Sequence, residues 1–413
     1  MNQACAALVF CFFLILSTGV LNTYAQNEDN VLTLDDAIDL VIKKNPGLAV
    51  SEAEISVSRS KLRKAQSNLY PQLHFKFILP FIERESGVFV DQLIWDFGRT
   101  PNLIKLHKAN LKASKYDWST EIADAVLNIK IQYYTALGEK LRWKAAKKLL
   151  LEKEKKLDQR ENFLKLGRAS QLDVMNSRVE LGNAKLHMLS IKYAMEGARI
   201  ELAKLTGIKG DFNYQLQDML DYIPAYIDLD AAIKRGLSLR PELKSLKVKA
   251  VGMKANVRAS LQRFYPTIVA RAAYRFEGAG ATGPDLIGGV GIKMPIFDGF
   301  STLSGVRESK AKLRRTQAEI ASLEQNIISD IKHLHLDLTL GKEKVEVTRT
   351  SKTQTEENYR LMKENFRLGR LSEIELIGAE ALFESTKAEH YKAIYDYKIA
   401  LAKLGRAIGE SIE

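Results

Sequence analysis

The sequence predicts a mainly α-helical protein with a small β part. Long coiled-coil helices form a helical barrel continuous with a transmembrane β-barrel, from two tandem structural repeats and four strands per protomer. Three observations predict it. The chain is written twice, with its halves matching at fixed spacing. Each half holds a helical stretch too long for a compact domain. Each half also holds a pair of segments in which apolar and polar residues alternate.

The doubling is read by laying the chain on itself. Leu34-Asp35-Asp36-Ala37-Ile38 meets Leu229-Asp230-Ala231-Ala232-Ile233, 195 residues later. In that register Pro46 meets Pro241, Leu48 meets Leu243, Arg63 meets Arg258, and Tyr70-Pro71 meets Tyr265-Pro266. The offset then becomes 202, where Ile94-Trp95-Asp96 meets Ile296-Phe297-Asp298 and Leu166-Gly167-Arg168 meets Leu368-Gly369-Arg370. Ser170 with Ser372, Tyr193 with Tyr395 and Gly207 with Gly409 keep that register. Shared Leu and Lys periodicity does not produce paired Pro, Tyr-Pro and Leu-Gly-Arg. The seven-residue change of offset falls between Pro71 and Ile94, against Pro266 and Ile296, so a turn is expected there. Repeat 1 is placed at 26–210, a linker at 211–226 and repeat 2 at 227–413.

Residues 1–25 stand apart. Ala6 to Leu16 is an apolar run of 11 residues, followed by small and polar residues ending in Thr23-Tyr24-Ala25. This reads as a signal peptide cleaved after Ala25, although its start carries no Lys or Arg. The competing reading is a membrane anchor, for which 11 residues are short. Both cysteines, Cys5 and Cys11, lie in this segment, so the mature chain needs no disulfide. No other run approaches 20 apolar residues, so any membrane passage must use a closed β-barrel. The formal charge of +12 is spread along helices, as in Lys140, Lys144, Lys147, Lys148, Lys153, Lys155 and Lys156, which favours solvated faces over a nucleic-acid patch.

Each repeat opens with a short helix. Thr33 and Asp35 suit its start, and Pro46 begins a second helix after an extended Asn45. Tyr70-Pro71 and Tyr265-Pro266 end that helix. Strand hairpins follow, at about 72–95 and about 267–297. Ile268, Ala270, Ala272 and Tyr274 alternate with Val269, Arg271, Ala273 and Arg275, a pattern shared by barrel strands and by soluble hairpins on a core. Long helices are expected at about 101–164 and 301–366, and return helices at about 170–207 and 371–408. At 1.5 Å per residue the long helix spans roughly 96 Å and needs lateral partners. The return helix and the helix before Tyr70, stacked end to end, match its length. Leu172, Met175, Val179, Gly182, Leu186, Leu189 and Tyr193 supply a seam at 3-4 spacing. Four strands cannot close a pore; three copies would supply twelve, which can.

Leu32-Thr-Leu-Asp-Asp-Ala with Asn45-Pro46, Tyr-Pro before the strands, Trp95-Asp96-Phe97-Gly98 or Phe297-Asp298-Gly299 after them, and the Leu-Gly-Arg turn occur in that order, doubled. In this the chain resembles the TolC-like outer-membrane efflux proteins (outer membrane factors) over nearly the whole mature length. The resemblance implies a homotrimer in the cell outer membrane, extending into the periplasm. It implies a passive export duct for an efflux or type I secretion system, coupled through a periplasmic adaptor (membrane fusion protein) to an inner-membrane pump. It places adaptor docking at Leu166, Gly167, Arg168, Leu368, Gly369 and Arg370. It also places a periplasmic aperture at Glu375, with Asp173 as its repeat mate. The family's second acidic position falls on Gly378, so one ring rests on Glu375 alone. The competing reading of both acids is helix first-turn residues favoured by the helix dipole.

The residues offer no enzyme. There is no nucleophile motif, phosphate loop or HExxH pattern. His333 and His335 point to different faces of a helix, so no metal site and no cofactor is expected. Tyr133, Tyr134 and Trp143 suit seam packing. The alternative to a channel is a periplasmic coiled-coil structural or adaptor protein without a pore; the missing all-β stretch weighs against an adaptor.

Overall fold

A computed structural model describes residues 31–77, 86–208, 214–275 and 285–410. The expected signal peptide, with Cys5 and Cys11, lies outside the described residues, as do the connections 78–85 and 276–284 inside the two strand hairpins.

The first half runs β1 (Val31–Leu32), α1 (Leu34–Lys44), α2 (Pro46–Ser67), β2 (Gln72–Lys76), β3 (Gly87–Trp95), α3 (Arg99–Lys165) and α4 (Gln171–Thr206). After the short β4 (Gln215–Leu216), the second runs α5 (Leu229–Leu239), α6 (Pro241–Leu261), β5 (Thr267–Arg275), β6 (Asp285–Lys293), α7 (Ser301–Arg367) and α8 (Glu373–Ile408). The helices α3 and α7 each have 67 residues, a length of about 100 Å. Their return helices α4 and α8 each have 36.

Local chemistry sets the boundaries. Thr33 caps α1, its hydroxyl accepting the Asp36 N–H at 3.1 Å. Asn45 ends α1 in an extended conformation, and its side chain accepts the Gly47 N–H at 2.8 Å, starting α2 with Pro46 in the first turn. At the strand-to-helix corner, Asp96 Oδ2 accepts the Thr100 N–H at 2.6 Å. Asp298 accepts the Thr302 N–H at 2.9 Å and the Thr302 hydroxyl. These aspartates satisfy orphan donors of the two longest helices.

The helices pack side by side in a fixed order. α3 is flanked on one side by α2 and α4 and on the other by α6 and α8, and α7 packs on the far side of α6 and α8. The first half's long helix is therefore shared by both halves. The core sits near the middle of the rods. Ile129, Tyr133 and Leu137 of α3 are buried with Val41, Leu202 and Tyr395. Ile327, Ile331 and Leu338 of α7 are buried with Leu243, Leu404 and Ile408. The short helices α1 and α5 cover these two places.

One expectation needs correction. The seam at Leu172, Val179, Leu186 and Tyr193 does not face α3; these side chains are 68%, 62%, 68% and 72% exposed. α4 instead buries a second stripe at the same spacing: Val174, Ser177, Ala184, Ile191, Met195, Ala198 and Leu202. This stripe mixes small residues, Ser177, Ala184 and Ala198, with the larger Val174, Ile191, Met195 and Leu202.

The segment between the halves is tied to the rods by side chains. The Tyr133 hydroxyl lies 2.8 Å from the Leu32 carbonyl and 3.1 Å from that of Gln217, joining β1 and the β4 region to α3. β1 and β4 pair in parallel. His335 Nε2 lies 3.1 Å from the Ile227 carbonyl. In the two sequence registers His335 is the counterpart of Tyr133 and Ile227 that of Leu32. Tyr397 Oη accepts the Ala225 N–H at 2.7 Å, and Lys398 donates to the Met219 carbonyl at 2.7 Å. Burial pushes the Tyr133 hydroxyl up to about 12, so it stays a donor. Tyr133→Phe removes that donor and leaves buried carbonyls short of a partner. We expect a loss of about 1 kcal/mol, read as a lowered thermal midpoint by circular dichroism. An unchanged midpoint would show that water replaces the hydroxyl.

Candidate functional site: the helical tips and the strand sheet

The two ends of the rod carry different chemistry. At the tip where α3 turns into α4, Gly167 adopts φ +69°. The Arg168 N–H donates to the Phe163 carbonyl at 2.8 Å and the Gly167 N–H to that of Leu164 at 2.9 Å. At the α7–α8 tip, Gly369 has φ +73°, and Arg370 and Gly369 donate to Asn365 and Phe366 at 3.0 and 2.9 Å. Both are Schellman closures, which demand a left-handed residue and so explain glycine. Leu166 and Leu368 are exposed beside them.

The first turns of the return helices hold the two predicted acids. Ser372 caps α8. Its N–H and hydroxyl donate to Glu375 Oε2 at 2.9 and 2.6 Å, and the Glu375 N–H reaches back to the hydroxyl at 3.4 Å. Ser170 and Asp173 repeat this at the start of α4, at 2.9, 2.8 and 3.1 Å. Both are reciprocal capping boxes. Hydrogen bonds from the Ser372 hydroxyl and N–H hold Glu375 below the usual carboxylate range, and the Ser170 N–H and hydroxyl do the same for Asp173. The capping interaction of Glu375 is therefore present above the unfolded pKa of about 4.3 and weakens as pH falls through the lower folded value. The helix-capping reading of these acids thus has a geometry, and it leaves each carboxylate fully solvated and charged. Gly378, one turn further on, has no neighbour where a Cβ would stand.

The tips are braced by ion pairs between neighbouring helices. Lys153 and Lys156 of α3 reach Glu180 of α4 at 3.3 and 2.9 Å, and Lys148 reaches Glu380 of α8 at 2.9 Å. Part of the lysine-rich face is thus paired. Nearer mid-rod, Arg406 of α8 holds Asp124 of α3 at 2.8 Å and Glu242 of α6 at 2.6 Å, again linking the halves.

At the other end, the four strands form one antiparallel sheet in the order β2-β3-β5-β6. β3 pairs with β5, so the sheet joins the halves, while β2 and β6 are its edges. β3, β5 and β6 have nine residues each. Directly opposed residues share a face. One face collects Leu73, Phe75, Val88, Val90, Ile268, Ala270, Ala272, Tyr274, Leu286, Val290 and Ile292, with Gln92 as its polar member. The other holds Gln72, His74, Lys76, Asp91, Arg271, Arg275 and Lys293, together with the apolar Phe89, Leu93, Val269, Ala273 and Ile287. Arg271 Nε lies 2.6 Å from Asp91 Oδ1, and His74 stacks on Phe89 with centroids 5.4 Å apart.

Sequence reasoning missed a third feature. Where the sheet meets the helices, Tyr70, Trp95, Phe97, Phe264, Tyr265, Phe297 and Phe300 are all exposed. Phe97 stacks on Tyr265 at 5.3 Å, and Phe297 meets Phe300 edge-on at 5.6 Å. The signal was present: the same Tyr-Pro and Trp-Asp-Phe motifs that mark the repeat supply the rings.

Among the described residues no group of three metal-ligating side chains occurs, and no helix is long and apolar enough to cross a membrane.

Comparison with known proteins agrees with this geometry. Residues 232–410 match the family model described as outer membrane efflux protein. The chain is 25% identical over 313 residues to the toluene efflux pump outer membrane protein TtgC of Pseudomonas putida, and equally to the antibiotic efflux pump outer membrane protein ArpC of the same species. Each match covers 71% of this chain and 62% of the relative's own length. The fold is similar to the outer membrane channel CmeC of Campylobacter jejuni, with TM-score 0.74 and 17% identity over 91% of this chain and 85% of that one. It is also similar to the outer-membrane channel OprN, with TM-score 0.74 and 16% identity over 92% and 90%. The second half is thus similar in sequence to outer membrane efflux proteins, and over nearly its whole described length the chain has the fold of outer membrane channels.

Proposed function

We propose that the protein is a passive export duct of the cell outer membrane that extends into the periplasm. It serves an efflux or type I secretion system, with an inner-membrane pump and a periplasmic adaptor as partners. It is a conduit and not an enzyme. One observation carries this: a sheet whose one face is almost wholly apolar, belted by exposed aromatics, stands at the end of a helical rod about 100 Å long. Strands of nine residues, apolar on one side and mixed on the other, where charged residues stand among Phe89, Leu93, Val269, Ala273 and Ile287, suit a wall between lipid and a wet lumen. The aromatic belt suits the lipid–water boundary.

Such a sheet cannot stand alone in lipid, because edges β2 and β6 would hold unsatisfied backbone groups. Three copies joined β6 to β2 give a closed twelve-stranded ring, a head-to-tail contact that closes by rotation. The helices support the same operator. α4 offers the exposed stripe Leu172, Val179, Leu186 and Tyr193 on one flank, and α7 offers Leu336, Leu340 and Val347 on the other. Against each other these stripes continue the helical wall.

The tips are the periplasmic end. Leu166, Gly167 and Arg168 with Leu368, Gly369 and Arg370 form the adaptor-docking turns, presenting an exposed leucine and arginine on a stiff closure. Glu375, and with it Asp173, lies where a threefold ring would gather carboxylates at an aperture and attract cations.

Three outcomes test this. The mature protein should fractionate with outer membrane as an SDS-resistant trimer, and Val179→Glu with Leu186→Glu should leave helicity intact while converting trimer to monomer on a sizing column. A monomer before mutation would remove the assembly. In single-channel recording, Glu375→Gln, which keeps the capping geometry, should weaken divalent-cation block; undiminished block would take Glu375 out of the aperture. Gly167→Ala meets no neighbour within 4 Å but must hold φ +69°. It should cost about 1 kcal/mol of stability and lower adaptor affinity in a pull-down; full retention of affinity would detach this turn from docking.

A further inference from the structure

A cleft with a volume of about 200 Å³ opens where the sheet meets the rods, between the starts of α3 and α7 and the end of α6. α3 supplies Arg99 and, one turn on, Leu103. The end of α6 supplies Ser260, and the turn after it Arg263. α7 supplies Glu308, Ser309 and Lys312. Glu308 and Lys312 pair with each other at 2.6 Å. The two arginines have no such partner: neither side chain makes a hydrogen bond or an ion pair among the described residues. Asp96, the nearest acid before Arg99, is committed to the N–H groups of Gly98 and Thr100 at 3.2 and 2.6 Å. Arg263 reaches across to α7, its Nη1 3.9 Å from where a Cβ on Gly305 would stand. Ser309 is buried, and its hydroxyl accepts from Asn256 Nδ2 at 3.5 Å, which leaves its own proton to give. Burial, and after it the charge of Arg263, hold the Arg99 guanidinium below its usual range, against the pull of Asp96. An arginine does not shed its proton in a protein, so the repulsion stands until an anion relieves it. Arg99 and Leu103 also border the adjoining groove under the sheet, whose other wall is Gln72, Asp91, Leu93, Thr267 and Val269. By register those five stand on the face that carries the charged residues.

We propose that this cleft is an oxyanion site for the phosphate or carboxylate groups of solutes in the lumen, with Arg99 and Arg263 as a two-guanidinium clamp and Ser309 as a third donor. The inference rests on the channel proposed above, which turns this side of the wall toward the lumen. A guanidinium presents paired N–H donors that match two oxygens of one anion, a fit that chloride cannot use. The bound anion would take up the repulsion between the two arginines, so the site gains from a cost that the empty protein already carries. Its place at the junction of sheet and rods sets the clamp where every solute must pass from the helical tunnel into the barrel.

Thermal melts of the purified full chain test the site without assuming conduction. Inorganic phosphate is added over a fixed excess of chloride, at levels too low for general salting-out. It should raise the midpoint of the parent protein. Arg263→Gln should shrink that rise, Arg99→Gln with Arg263→Gln should abolish it, and Arg263→Lys, which keeps the charge and loses the fork, should keep part of it. Without phosphate, Arg263→Gln should melt no lower than the parent, because a like charge has been taken away. No rise in the parent, or a rise that survives in the double variant, overturns the site. Single-channel recording then tests its place. Phosphate should reduce the conductance, and Arg263→Gln should move the half-effect up about tenfold, the worth of one charge-assisted hydrogen bond. Phosphate that acts through the arginines on the midpoint and not on the conductance of an open channel would assign the cleft to lipid headgroups and overturn the lumenal reading. Bilayers that stay silent overturn the channel, while the melts still decide the site.

Discussion

A helix of 67 residues cannot be buried by a compact domain, and everything else in this protein follows from giving it neighbours along its whole length. α2 and α4, with 22 and 36 residues, together nearly match α3 on one flank. α6 and α8 do so on the other. The closeness of these contacts is visible at Gly252 of α6, where a Cβ would come within 3.0 Å of the Ala109 methyl. A ladder of small buried residues, Ala109, Ala113, Ala125 and Ala145, lets α3 accept helices on two sides without thickening the wall. The largest fully buried side chains, among them Tyr133, Tyr395, Tyr397, Leu202 and Leu404, gather at mid-rod, where α1 and α5 add a second layer over them.

Much of the fold was legible because the punctuation is local chemistry. Asn45-Pro46 must break and restart a helix, Leu166-Gly167-Arg168 must close one, and Ser170 or Ser372 followed three residues later by an acid must open one. These signals act over a single turn and survive without knowledge of the tertiary structure. The equal lengths of α3 and α7, and of α4 and α8, follow from the same punctuation spaced alike in both halves.

What was not legible depended on which of two equivalent periodicities wins. α4 carries two stripes at 3-4 spacing, and spacing alone cannot rank them. The Leu172–Tyr193 stripe is as apolar as its rival, yet the neighbour within the chain takes the stripe that runs from Val174 through Ser177, Ala184, Ile191, Met195 and Ala198 to Leu202. The ties from Tyr133, Tyr397 and Lys398 to the linker were equally hidden, since each joins residues more than 80 positions apart. For the candidate site, the sequence placed Glu375 and Asp173 in first turns. The reciprocal hydrogen bonds that keep both charged depend on side-chain placement, which spacing does not supply.

The choice of stripes has a consequence for how the protein becomes stable. With one apolar stripe of α4 buried within the chain, the protomer still presents a second, from Leu172 to Tyr193, on a surface it does not cover itself. Among the described residues, β2 and β6 each pair with one strand only, and much of the apolar sheet face is exposed. Each uncovered surface is tolerable only if another is brought to it: stripe to stripe, edge to edge, apolar face to lipid. In the trimeric channel proposed above, folding of the rod and closure of the barrel would be one linked equilibrium, with protomer concentration and lipid as stabilising ligands of the native state. A mid-rod core held by Tyr133 and by the Arg406 ion pairs lets each protomer keep its shape until those ligands are met, because it is the part of the molecule that is complete within one chain.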